Sequence, residues 1–124
     1  MTLAEVRALA LRLPRTTEGL VRDRVKFRVG RIVYASFSRD ETVMGFGFPR
    51  EERALLVESE PEKFMMPSAG DLRYQWVLVR LAAIDATEMR ELVIDAWRLA
   101  APKGLARDLD ERALLAGLDA GSQA

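Results

Sequence analysis

The chain of 124 residues contains no cysteine, no histidine and no asparagine. Without cysteine there is no disulfide, no thiolate nucleophile and no cysteine-based zinc site. Without histidine, the commonest general base near neutral pH and the commonest metal ligand are both missing. A Ser-His-Asp triad is impossible, as are the zinc motifs of deaminases and metalloproteases. Catalysis would be confined to carboxylates, Lys, Tyr or Arg, and no pair of these stands out. Long hydrophobic runs are missing too. Uncharged stretches such as Thr42–Pro49 and Trp76–Val79 fall far short of the about 20 residues that span a bilayer. The N-terminal MTLAEVRALALRLP has scattered charges and no unbroken apolar centre, unlike a signal peptide. The expectation is a cytoplasmic protein without catalytic residues, metal, cofactor or membrane contact.

Apolar residues make up 49% of the chain and charged residues 31%, ordinary usage for one globular domain. No repeat, low-complexity stretch or linker divides it, so residues 1–120 read as a single domain and 121–124 as a frayed tail. Net charge is zero but unevenly spread. Residues 1–50 hold ten basic and five acidic residues, whereas residues 51–124 hold nine basic and fourteen acidic. Such asymmetry marks either a face for a polyanion or two halves that attract one another.

Thr2 and Glu5 form a capping-box pattern, and Leu3, Val6, Ala10 and Leu13 follow at helical spacing, predicting a helix over Leu3–Leu13 stopped by Pro14. Arg15–Leu20 reads as a polar connection. From Val21 the period becomes two: Val21, Val25, Phe27 and Val29 alternate with Arg22, Arg24, Lys26 and Arg28, predicting a half-buried strand with Asp23 on its apolar side. A tight turn at Gly30-Arg31 leads to strands at Ile32–Phe37 and Thr42–Phe48. Arg50–Ser59 reads as a short helix, Glu62–Leu72 as a loop and Arg73–Leu81 as a strand. Asp85 with Glu88 caps a helix carrying the stripe Met89, Leu92, Val93, Ala96, Trp97 and Ala100. Asp110–Leu118 reads as a short terminal helix. The fold class is therefore α+β, with one antiparallel sheet, a meander of three to five strands, and helices packed on one face.

The candidate site is the row Arg22, Arg24, Lys26 and Arg28, with Arg31 in the following turn. On a strand, alternate residues stand roughly 6.6 Å apart on one face, a spacing that can follow a phosphate backbone. The competing reading is a solvated face, or cations paired with the acidic C-terminal half; charge on a strand also protects a sheet edge. Gly45-Phe46-Gly47-Phe48 lacks a third glycine and lies inside a meander, so it reads as room for a helix on one face with Met44, Phe46 and Phe48 filling the other. Trp76 and Trp97 read as core, whereas Tyr74 reads as exposed; aromatics on a sheet can also stack bases. Phe64-Met65-Met66 reads as an anchored loop or an apolar contact site.

Several local phrases resemble the MmcQ/YjbR-like family of small bacterial proteins. They are Val25-Lys26-Phe27-Arg28-Val29-Gly30-Arg31, Pro61-Glu62-Lys63-Phe64, Val77-Leu78-Val79-Arg80-Leu81 and Asp95-Ala96-Trp97-Arg98-Leu99-Ala100-Ala101-Pro102-Lys103. Together they cover roughly residues 3–107. The resemblance implies a compact domain of CyaY-like or double-wing type and a DNA-binding role, with no catalytic residues to carry over. Some members have an Arg-His-Trp phrase where this chain has Tyr74-Gln75-Trp76. The expected function is DNA binding without catalysis, through phosphate contacts from a Val21–Phe37 hairpin. The alternative is a protein-interaction or small-ligand module, such as a homodimer formed through the sheet edge or the Phe64–Met66 loop.

Overall fold

A computed structural model describes residues 1–108; the predicted helix Asp110–Leu118 and the tail 121–124 lie outside this range. Along the chain come α1 (Leu3–Ala10), β1 (Thr16–Val21), β2 (Arg24–Val29), β3 (Ile32–Phe37), β4 (Val43–Gly47), α2 (Arg53–Ser59), β5 (Phe64–Met65), β6 (Trp76–Arg80), α3 (Ala86–Ala100) and α4 (Lys103–Asp108). The strands form one six-stranded sheet in the order β1-β2-β3-β4-β6-β5. Every neighbouring pair is antiparallel. The architecture is the expected α+β one, with more strands than the predicted meander.

Two of the extra strands come from segments read as connections. Thr16–Val21 is β1, and Arg22-Asp23, inside the predicted first strand, is instead the turn of a β1–β2 hairpin. Both turn residues have positive φ, 52° and 65°, as the tight turns that match strand twist require. A two-residue turn flips the parity of the alternation: Val21 pairs with Arg24 and so lies on the cationic face, not on the apolar side with Val25, Phe27 and Val29 as predicted. The short β5 arises in the predicted Glu62–Leu72 loop and pairs with β6 on the sheet's far edge.

Burial follows from the register. Phe27 faces Ala35, Ala35 faces Phe46, and Phe46 faces Val77 across four strands. The next row joins Phe37, Met44, Val79 and Phe64. All eight side chains are buried, in one core with Val6, Leu9 and Ala10 of α1 and Met89, Val93 and Trp97 of α3. Burying each large side chain contributes about 2 kcal/mol, and the edge-on pairs Phe27–Phe37 and Phe46–Phe64, with centroids at 6.0 and 6.3 Å, add specific geometry. The residues of opposite parity, Lys26, Ser36, Gly45, Leu78 and Met65, line up across β2, β3, β4, β6 and β5 on the other face.

Helix ends match their local signals. Thr2 Oγ1 accepts from the Glu5 amide and Glu5 Oε1 accepts from the Thr2 amide, completing the capping box. Asp85 caps α3 by accepting from the Glu88 amide at 2.9 Å. The first helix stops at Ala10, earlier than predicted. Leu13 is nevertheless buried, in a turn whose amide bonds back to Ala10. Pro14 then offers its carbonyl to the indole N–H of fully buried Trp97, at 2.9 Å, which satisfies that donor inside the core.

Candidate functional site

The site is built on the open face of the sheet. Arg24, Lys26 and Arg28 alternate along β2 and so share one face. Their neighbours on β1 are Val21, Gly19 and Thr17. The Arg28 guanidinium lies over Gly19, where any β-carbon would collide with it. Gly19 in turn pairs with Lys26. Glycine at this position lets Arg28 lean along the strand towards Lys26, which concentrates positive charge at the middle of the row.

Several carboxylates are paired with other cations. Glu18 takes both Arg7 Nε at 2.8 Å and Arg7 Nη2 at 3.0 Å. Lys63 holds Glu88 at 2.7 Å and Glu60 at 3.1 Å, and these two carboxylates raise the pKa of its ammonium. Among the described residues none of Arg22, Arg24, Lys26, Arg28 and Arg31 forms an ion pair. The reading in which the row pairs with the acidic half therefore finds no partner among residues 1–108.

The five predicted cations are not all brought together. Arg22 belongs to the β1–β2 turn, where its carbonyl accepts from Arg39 Nε at 3.3 Å. Arg31 sits beyond the other end of β2, in the turn opened by Gly30 with φ 60°. At ~3.3 Å per residue the six-residue strand holds these two turns roughly 20 Å apart. The shared face carries three of the five, and Arg22 is not in their row.

Beside that row the sheet face opens into a groove of about 640 Å³. Arg24 and Lys26 form one wall. Ser36, Gly45 and Leu78 lie in its floor, and Ser68, Asp71 and Tyr74 belong to the opposite wall. Two cations face a single carboxylate, so the groove is electropositive. Trp76, expected in the core, lies across Gly45 instead, and a β-carbon at position 45 would come within 2.7 Å of its Cε2. The cause is parity: Val77 and Val79 take the buried face, which leaves Trp76 and Leu78 on the other. Leu99 and Ala96 of α3 stand 3.5 and 3.6 Å from where a β-carbon of Gly47 would be, but the helix shares its core with Met44 and Phe46 instead of packing on the face opposite them as expected. Tyr74 is exposed as expected, with the Arg73 guanidinium 4.9 Å from its ring centroid.

A residue the sequence did not mark holds this wall in place. Arg53 of α2 is buried, at 6% exposure. Its Nη1 donates to the Tyr74 carbonyl at 2.8 Å and the Trp76 carbonyl at 3.3 Å, and its Nη2 to the Leu72 carbonyl. Arg50 adds a bond to the Arg73 carbonyl at 2.7 Å. The guanidinium fork matches carbonyls that converge from one loop. No local signal announces this, because on the same helix Leu55 is 72% exposed, the reverse of what hydropathy predicts. Among the described residues no acidic cluster of three could hold a metal ion, and no helix is long and apolar enough to cross a membrane.

The fold is similar to that of the Deinococcus radiodurans protein DR2400, whose crystal structure is described as a DUF419 domain. The TM-score is 0.71 at 20% identity, over 95% of this chain and 88% of that one. No curated protein matches the sequence. The YjbR family model matches residues 11–99, from the turn after α1 through β1–β6 to the C-terminal part of α3, and the chain belongs to the YjbR family.

Proposed function

We propose that this protein binds nucleic acid, DNA in the first instance, without catalysing a reaction on it, and that Arg24, Lys26 and Arg28 contact the phosphates. The observation that carries this reading is three cations on one strand face, Arg24 exposed and Lys26 and Arg28 half-buried, with no carboxylate partner among the described residues. Like charges so placed repel one another, and a polyanion relieves that repulsion while releasing its counterions. Zero net charge confines the contact to this face, since acidic surfaces elsewhere repel a phosphate backbone. The contact lies on the sheet rather than at a hairpin tip, with Arg22 and Arg31 flanking it from the turns.

The test is a titration of labelled DNA at low salt, with the wild type beside an Arg24→Ala/Lys26→Ala/Arg28→Ala variant. The wild type should bind, with affinity falling as salt rises. The variant should lose affinity on every sequence, and its log–log salt slope should shrink by roughly 0.9 for each phosphate contact removed. A wild type with no affinity at low salt disposes of the reading.

A further inference from the structure

We infer that the groove takes one unstacked base of a single strand, which stacks on Trp76 while its phosphates lie on Lys26 and Arg24; this deepens, and rests on, the nucleic-acid reading above. The two tryptophans of the chain are used in opposite ways. Trp97 is wholly buried and its N–H is bonded to Pro14. Trp76 is only partly buried and its N–H has no hydrogen-bond acceptor among the described residues. A large indole kept on the open face of a sheet, over a glycine that makes room for it, contributes little to the core. It presents a flat aromatic surface and a spare donor to the groove.

The register places phosphate and base sites side by side. Lys26, Ser36 and Gly45 are successive neighbours across three strands, so the lysine backbone stands about 10 Å from the glycine under the indole. The lysine side chain reaches into that interval, and the space left suits one nucleotide with its base on the indole and its phosphate on the ammonium. Ser36 stands between them as a hydrogen-bonding group. Arg24 and Arg28, one alternate position to either side of Lys26, meet the next phosphates. Tyr74 and Gln75 at the opposite wall offer a second ring face and an amide to the base edge.

A duplex does not fit this arrangement, because its bases are paired and stacked out of reach of a groove on a sheet face. Single strands are bound by combining a cationic track with aromatic platforms. A groove of about 640 Å³ falls within the roughly 300–1,000 Å³ of sites that enclose a small ligand. It accepts a nucleotide, not a helix. The row of three cations exceeds what a single free nucleotide needs, which assigns the groove to a strand.

The experiment titrates the full chain at low salt with a short oligothymidylate, the duplex of the same length and thymidine monophosphate. Binding and tryptophan emission are followed for the wild type, Trp76→Leu and Trp76→Phe. Emission should be quenched by the single strand, because Trp97 is sealed in the core and Trp76 is not. Trp76→Leu should weaken single-strand binding on the order of ten-fold or more, leave duplex binding within two-fold, and be largely rescued by Trp76→Phe. Unquenched emission of the wild type with bound oligonucleotide overturns the inference, whatever the variants do. So does equal binding of the oligonucleotide by Trp76→Leu, or a monophosphate that binds as tightly as the oligomer. Tight binding of the duplex alone overturns it too but leaves the phosphate-row reading standing, whereas a wild type that binds neither polymer fails that reading itself.

Discussion

The indole of Trp76 lies across the backbone of Gly45, in the space that a β-carbon at position 45 would fill. The contact joins β6 to β4 on the open face and shapes the groove floor between the cationic wall and the Tyr74 wall. Its existence depends on a glycine diagonal to the tryptophan, since in the register Gly45 faces Leu78 and Trp76 faces Gly47.

Gly45→Ala should therefore displace the indole and cost roughly 1–3 kcal/mol, the usual penalty of overfilling a packed position. Gly70→Ala is the control, since a β-carbon there meets nothing within 4 Å, and its effect should stay within about 0.5 kcal/mol. Urea denaturation reads the cost, and tryptophan emission of the folded variant reads the displacement. Equal midpoints for Gly45→Ala and wild type would show that the indole rests elsewhere.

Arg53→Met should unfasten the Leu72–Trp76 loop. The three carbonyls that Arg53 serves lose their donor, at a cost of about 2 kcal/mol or more for acceptors left unmet in a buried place. Arg53→Lys should recover only part, because one ammonium cannot fork across three converging oxygens. Hydrogen exchange should accelerate in residues 72–76 ahead of α3; an unchanged loop in Arg53→Met would remove the positioning role.

Alkaline pH should destabilise the protein through Tyr34. Burial pushes its phenol from an ordinary 10.0 up to about 12, opposed by the hydrogen bond to Thr16. The folded-state pKa is raised, so the stabilisation is fully present below pH 10 and is lost as pH climbs towards 12, where the unfolded chain gives up the proton more readily. A two-unit shift is worth roughly 2–3 kcal/mol. Lys63, raised by its hydrogen bonds to Glu88 and Glu60, acts in the same direction above its ordinary 10.5. Denaturation midpoints measured from pH 8 to 12 should fall more steeply for the wild type than for Tyr34→Phe, and parallel curves would contradict this account.

Much of the frame was legible in the chain itself. The Thr2–Glu5 box, the Gly30-Arg31 turn, β3 and the stripe of α3 are local patterns with periods of two or 3.6 residues, and each formed where its period placed it. The Arg22-Asp23 turn was hidden because neither residue is the glycine or asparagine that positive φ favours, and because Val21 continues the apolar–basic alternation in sequence although the turn sends it to the cationic face. Trp76 was hidden for a different reason. Trp76-Val77-Leu78-Val79 is apolar throughout, so it carries no period to say which residues face the core. Arg53 could not be found at all, since its partners come from carbonyls about twenty positions further along.

By itself the sequence determined what this protein lacks, histidine and cysteine above all, and that Arg24, Lys26 and Arg28 share one strand face, because a strand's alternation is local and needs no partner. Tertiary structure alone decided that β6 enters the sheet between β4 and β5. Long-range pairing is chosen by which arrangement buries Val77 and Val79 with Phe46 and Met44, and no short stretch of chain encodes that choice. That pairing sets Trp76 on Gly45 and faces it towards Lys26 across the sheet, turning a row of cations into one wall of a groove.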